Sequence, residues 1–274
     1  MSSLSIGRAW EEAKAALVAG RRLLVPIALG LVLLPAGIMS MVEPQAATGQ
    51  QPPAGPWMVV ALIMIVVMII GELAIVLLVN GWRGSVGSAI SKAARRTPVF
   101  ILAALCFVLP LVVVFSAVLV ASGASPGESG QVDWTNFSGA GWLLMLLALL
   151  AMIYFSVRLM LLLVVAACET LGPIDSLKRS FALSSGHFWR LFAFILLLVI
   201  AFAIVAATIG AVVGSLVTLL AGEPRPWSLS LLLIALTGGL VQAAFVLVYT
   251  GMLARIYAQL AAPTASVPEV EREG

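Results

Sequence analysis

The chain switches six times between long apolar runs and short polar segments. The apolar runs fill 23–42, 57–79, 99–121, 142–167, 191–221 and 228–254. A hydrocarbon core ~30 Å thick needs about 20 such residues at 1.5 Å rise per residue. Every run meets that length, so the pattern predicts six transmembrane helices. The fifth has 31 residues. It would extend ~46 Å, so it is expected to tilt or to project beyond the bilayer.

The polar segments before the first, third and fifth runs carry a helical period. In the first, 5–20, Ile6, Trp10, Ala13 and Leu17 fall on one face, and Arg8, Glu11, Glu12 and Lys14 on the other. In the second, 84–96, Val86, Ile90 and Ala93 oppose Lys92, Arg95 and Arg96. In the third, 173–186, Ile174, Leu177 and Phe181 oppose Lys178, Arg179 and Ser185. Short amphipathic helices with basic outer faces are expected to lie in the headgroup plane. The plan then reads as three units of interfacial helix, outgoing span and returning span. Any six-span chain with short loops would read similarly, so true repetition stays open.

Composition fits this picture. Hydrophobic residues make up 62% of the chain and charged residues 10%, against roughly 45–50% and about 25% in soluble domains. That excludes a soluble enzyme, a disordered chain and a disulfide scaffold. The expected fold is all-α and polytopic: one membrane domain over 1–262, with a disordered tail at 263–274.

The charges set an orientation. Thirteen of the fifteen basic residues flank one side of the spans. They are Arg8, Lys14, Arg21, Arg22, Arg83, Lys92, Arg95, Arg96, Lys178, Arg179, Arg190, Arg255 and Arg272. The opposite loops hold Arg225, and Arg158 lies inside the fourth run. By the positive-inside rule both termini are cytoplasmic. Glu11 and Glu12 argue against a cleaved signal peptide, so the first span is expected to be retained.

Reactive chemistry is sparse. Cys106 and Cys168 sit in apolar runs, and His187 is the one histidine. No metal-ligand spacing, phosphate loop or dinucleotide fingerprint occurs, so neither metal nor cofactor is expected. Two ionisable residues lie within spans, Glu72 and Arg158. Each falls ~10–14 Å inside the basic boundary at 1.5 Å per residue. Opposite charge at equal depth predicts an interhelical ion pair, with a substrate or proton site as the alternative. Gln242 is expected to hydrogen-bond within the bundle or to serve packing. Gly210 and Gly214 form a GxxxG element for close helix packing, internal or between copies. Lys178, Arg179, His187 and Arg190 are candidate lipid-headgroup contacts, with plain anchoring as the alternative.

The third amphipathic segment also carries a resemblance. It opens Gly172-Pro173-Ile174 and continues Leu177-Lys178-Arg179-Ser180. Leu183 and Gly186 follow, and it leaves through Phe188-Trp189-Arg190-Leu191. With Arg158, Glu169 and residues 253–260, this resembles the membrane domain associated with bacterial glycerophosphodiester phosphodiesterases and related six-span inner-membrane proteins. The resemblance implies a non-catalytic membrane module of the bacterial inner membrane. The phosphodiester chemistry of that family belongs to a separate soluble domain, which this sequence is not expected to carry. The partners expected are anionic lipids on the cytoplasmic side, a protein partner or a second copy, and no nucleic acid. The competing expectation is a small transporter or flippase-like protein using Glu72 and Arg158.

Overall fold

The computed structural model describes residues 5–42, 54–123, 125–126, 132–133, 138–225 and 228–261. Helix α1 (Ile6–Ala28) runs through a π-helical turn (Leu29–Leu33) into α2 (Leu34–Val42). Then follow α3 (Trp57–Val79), α4 (Val86–Ala121), α5 (Gly139–Leu159) and α6 (Leu162–Cys168). The last three are α7 (Pro173–Ser184), α8 (Phe188–Ala221) and α9 (Leu229–Ala261). One two-residue antiparallel bridge joins Ser125–Pro126 to Val132–Asp133. The protein is all-α, and six helical stretches are long and apolar enough to cross a membrane. Each expected span lies inside one of them, except that the sixth was read from Ser228, one residue before its helix begins.

Local chemistry sets the helix ends. Ser5, Ser85 and Ser138 cap α1, α4 and α5 by accepting from Arg8 N, Ser88 N and Gly141 N. Pro173 opens α7, where its missing N–H costs nothing. Gly186, at φ +80, turns the chain between α7 and α8; L residues resist that conformation.

Two expectations about the amphipathic segments need correction. The segments 5–20 and 84–96 are not separate helices. Nothing stops α1 after Gly20, and α4 continues through Pro98 to Ala121. The 36 residues of α4 extend ~54 Å, so both segments are straight extensions of spans. Their apolar faces are partly covered by protein: Ala9, Ala13, Ala89 and Ala93 are fully enclosed, while Trp10 is 45% exposed. Only 173–186 forms its own helix, so the third unit departs from the first two. That helix is also turned differently from its apolar pattern. Ser176, Ser180 and Ser184 are buried, and Ile174 is 59% exposed.

Two helices carry internal irregularities. In the first span Leu34 N donates to Leu29 O, five residues back. Pro35 cannot donate to the α ladder, and the widened turn absorbs that. The π turn packs closely. A Cβ on Gly71 of α3 would lie 2.7 Å from Leu31 Cβ, and one on Gly239 of α9 would lie 3.3 Å from Leu33 O. In the fourth span the helix breaks at Met160–Leu161, with no Pro or Gly there. The cause is α7: Ser180 and Ser184 hydroxyls donate to Arg158 O at 3.0 and 3.2 Å. That carbonyl would otherwise accept the next turn of the ladder.

The core lies at one end. Leu73, Val76, Val164, Val165, Leu191, Met252, Leu253 and Ile256 are buried together there. This is the end where the basic segments meet, termed here the basic end. Toward the other end α4, α5 and α8 expose Val113, Leu147, Leu197 and Leu219, among others. Lipid can cover such faces, where water would drive association.

Candidate functional site

Arg158, in the last turn of α5, is held by its own neighbourhood. Its Nε and Nη2 donate to Tyr154 OH at 3.2 and 3.0 Å. Its Nη1 donates to Phe181 O of α7 at 3.3 Å. The guanidinium also lies 5.2 Å from the centre of the Tyr154 ring. Phe155, Phe188 and Phe192 continue the aromatic cluster around it. The side chain is half-buried, and this arrangement supplies the guanidinium with acceptors and a ring face.

Glu72 does not share that environment. It lies in the stretch of α3 with buried Gly71 and Leu73, and its carboxyl interacts electrostatically with Tyr249 of α9. Among the described residues Glu72 and Arg158 form no ion pair. The expected pair is therefore corrected. Matching depth places two residues at one level but does not fix which way each side chain points, and here α7 claims the arginine.

Gly210 and Gly214 need correction as far as packing within the chain is concerned; packing between copies stays an expectation. A Cβ on either would meet nothing within 4 Å. They line a cavity of about 280 Å³ between α8 and α9, together with Thr237, Gly238 and Gln242. The small residues leave a space there and do not bring two backbones together. The Gln242 carboxamide lines that cavity and makes no hydrogen bond among the described residues. The close contacts are at Gly71 and Gly239.

At the basic end Glu169 is a hub. Its Oε1 accepts from Tyr257 OH at 2.7 Å and from Arg179 Nε at 3.1 Å. One carboxylate thus ties the exit of α6 to α7 and α9. Arg255 Nη2 donates to Val79 O at 2.7 Å and satisfies an open carbonyl at the end of α3. Arg96 Nη1 donates to Leu171 O at 3.4 Å. Asn80 Nδ2 donates to Cys168 Sγ at 3.3 Å, and Lys92 Nζ stands 4.7 Å over the Trp82 ring.

The expected headgroup residues divide. Arg179 is spent on Glu169. Lys178 stands 4.0 Å from Asp175, with both side chains well exposed, so that pair is weak and leaves Lys178 available. His187 is the residue before α8, and its Nδ1 lies 3.2 Å from Ser185 O. Arg190 and Trp189 begin α8 on its exposed side, with Trp189 77% exposed.

The four ion pairs among the described residues consume Glu11, Glu12, Asp175 and Glu169. Arg21, Arg22, Arg83 and Arg95 form none. Arg22 stands at a groove of about 290 Å³ between α1 and α4. Leu23, Pro26, Ile27 and Leu31 form one wall, and Val86 and Ile90 the other. An apolar trough with an unpaired guanidinium on its lining can take an acyl chain and an acidic headgroup together.

A family model described as "Domain of unknown function (DUF7847)" matches residues 6–260. The chain belongs to this family. No curated protein and no solved structure matches it. The match spans all six apolar helices and α7, so membership in DUF7847 covers the whole described fold. Among the described residues of this DUF7847 member, no group of three His, Cys, Asp or Glu side chains could hold a metal.

Several of these residues carry a weak sequence signal. Tyr154 lies four residues before Arg158, the spacing at which helical side chains meet. Glu169 and Tyr257 have no local signal, since 88 residues separate them. The tail at 263–274, with Arg272, lies outside the described residues.

Proposed function

We propose that this multi-pass protein is a non-catalytic module of the bacterial inner membrane that binds anionic lipid at its basic end. In this reading that end and both termini face the cytoplasm. The observation that carries it is the α1–α4 groove, apolar along its walls with Arg22 on its lining. The charge balance supports it: among the described residues Glu11, Glu12, Asp175 and Glu169 are engaged in ion pairs, while Arg21, Arg22, Arg83 and Arg95 form none. The inner leaflet is the anionic surface such charge would meet. The resemblance of 172–191 to the phosphodiesterase-associated membrane domain points to the same compartment.

The transporter reading draws on one observation, the broken fourth span, since interrupted helices mark binding sites in transporters. It would rest on Glu72 alone, because Arg158 is held by Tyr154 and α7.

The test is lipid retention. Protein is purified from membranes containing phosphatidylglycerol, and bound lipid is counted by mass spectrometry of the intact complex. One basic contact to an anionic surface contributes about 1 kcal/mol, or a factor of about five. Arg22→Gln is expected to lower phosphatidylglycerol occupancy several-fold, while Arg225→Gln, at the opposite end, changes it little. Equal retention by wild type and Arg22→Gln would overturn the reading.

A further inference from the structure

A separate cavity opens where the fourth span breaks. It holds about 340 Å³ between α4, α5, α8 and α9, and Phe107, Val108, Ser156, Met160, Ile195 and Tyr249 line it. That is far more than one water needs and lies at the small end of ligand pockets. Its walls come from helices that carry lipid-facing surface, so a molecule dissolved in the bilayer can reach it from the side.

Two hydroxyls in this cavity have no hydrogen-bond partner among the described residues, those of Tyr249 and Ser156. Most other hydroxyls in the spans are satisfied locally, Ser116 of α4 being an exception among the described residues. Thr208, Thr218, Thr237 and Thr250 each donate to the carbonyl four residues back. Hydrocarbon offers no acceptor, so an unused hydroxyl there costs free energy until a ligand supplies one. The wall contains no cation: Arg158, next in the chain after Val157, is turned to Tyr154 and Phe181. The lining therefore suits an uncharged molecule and gives a phosphate nothing to pair with. Phe107 and Phe155, 5.6 Å apart, and Tyr249 offer flat apolar surface beside the two donors.

We infer that this cavity binds an uncharged, lipid-soluble molecule through a carbonyl oxygen that accepts from Tyr249 and Ser156. Two membrane constituents present that chemistry, the ester carbonyl of a neutral glycerolipid and the ring carbonyl of a quinone. The site is distinct from the Arg22 groove and stands or falls independently of it.

The experiment uses the full chain in nanodiscs. It is titrated with decylubiquinone in one arm and dioctanoylglycerol in the other, and bound ligand is read by mass spectrometry. Saturable 1:1 binding in either arm is expected, and the arm that binds identifies the source of the carbonyl. Combined Ser156→Ala and Tyr249→Phe is expected to weaken that binding at least tenfold. Ala104→Leu fills the same cavity without touching either hydroxyl and is expected to do the same. Tyr257→Phe, at the basic end, leaves it unchanged. The inference is overturned if neither probe saturates, or if the double variant binds like wild type.

Discussion

Tyr257 and Arg179 converge on one oxygen of Glu169, and Glu169 remains 22% exposed. A hydrogen bond to a charged group contributes about 1.5–3 kcal/mol. Tyr257→Phe should lower the unfolding temperature in detergent, and so should Arg179→Gln. Because both act on one carboxylate, the double variant should lose less than the sum; additive losses would show that the hub is not shared. The glycines make a second contrast. Gly71→Ala places a methyl 2.7 Å from Leu31 Cβ, and such overpacking costs about 1–3 kcal/mol. Gly210→Ala meets open space and should be neutral, or stabilising by up to about 1 kcal/mol. Equal destabilisation at both would refute the packing described for the π turn. At this scale the sequence was legible only in part. Glu72 and Arg158 stood out as charges in apolar runs, but their depth carried no information about their directions. Tyr154, one helical turn before Arg158, was within reach of local spacing, whereas the contact of Arg158 with Phe181 O follows from how α7 packs.

The six spans could be read from the sequence because length and apolarity alone decide them. The break at Met160–Leu161 could not, because its cause is on another helix. Nothing in the local sequence interrupts α5; the serines of α7 do. The apolar pattern of α7 likewise pointed to Ile174, Leu177 and Phe181 as its buried side, and its serine face is buried against Arg158. Combined Ser180→Ala and Ser184→Ala removes both donors to Arg158 O. Leaving that carbonyl unsatisfied should cost about 1–3 kcal/mol, read as a lower unfolding temperature. An unchanged temperature would mean that the serines do not hold the break open. The segments 5–20 and 84–96 were read correctly as amphipathic but wrongly as separate. Amphipathic periodicity reports that a face is covered and does not say whether lipid or protein covers it.

For the whole molecule, the buried core lies at the basic end and the exposed apolar surface beyond it. The proposed orientation can be checked in cells. In a background lacking Cys106 and Cys168, Glu223→Cys should react with a membrane-impermeant maleimide added outside, and Lys178→Cys should not; the reverse pattern would invert the protein. The central claim, anionic lipid held at the α1–α4 groove, predicts a linkage. A ligand that binds only the folded state raises its stability in proportion to occupancy. The most direct measurement is the unfolding temperature of purified wild type and Arg22→Gln, each with phosphatidylglycerol or with phosphatidylcholine added. Wild type should gain stability from phosphatidylglycerol beyond that from phosphatidylcholine, and Arg22→Gln should lose most of that difference. An equal gain from both lipids in wild type, or an undiminished difference in Arg22→Gln, would contradict the claim.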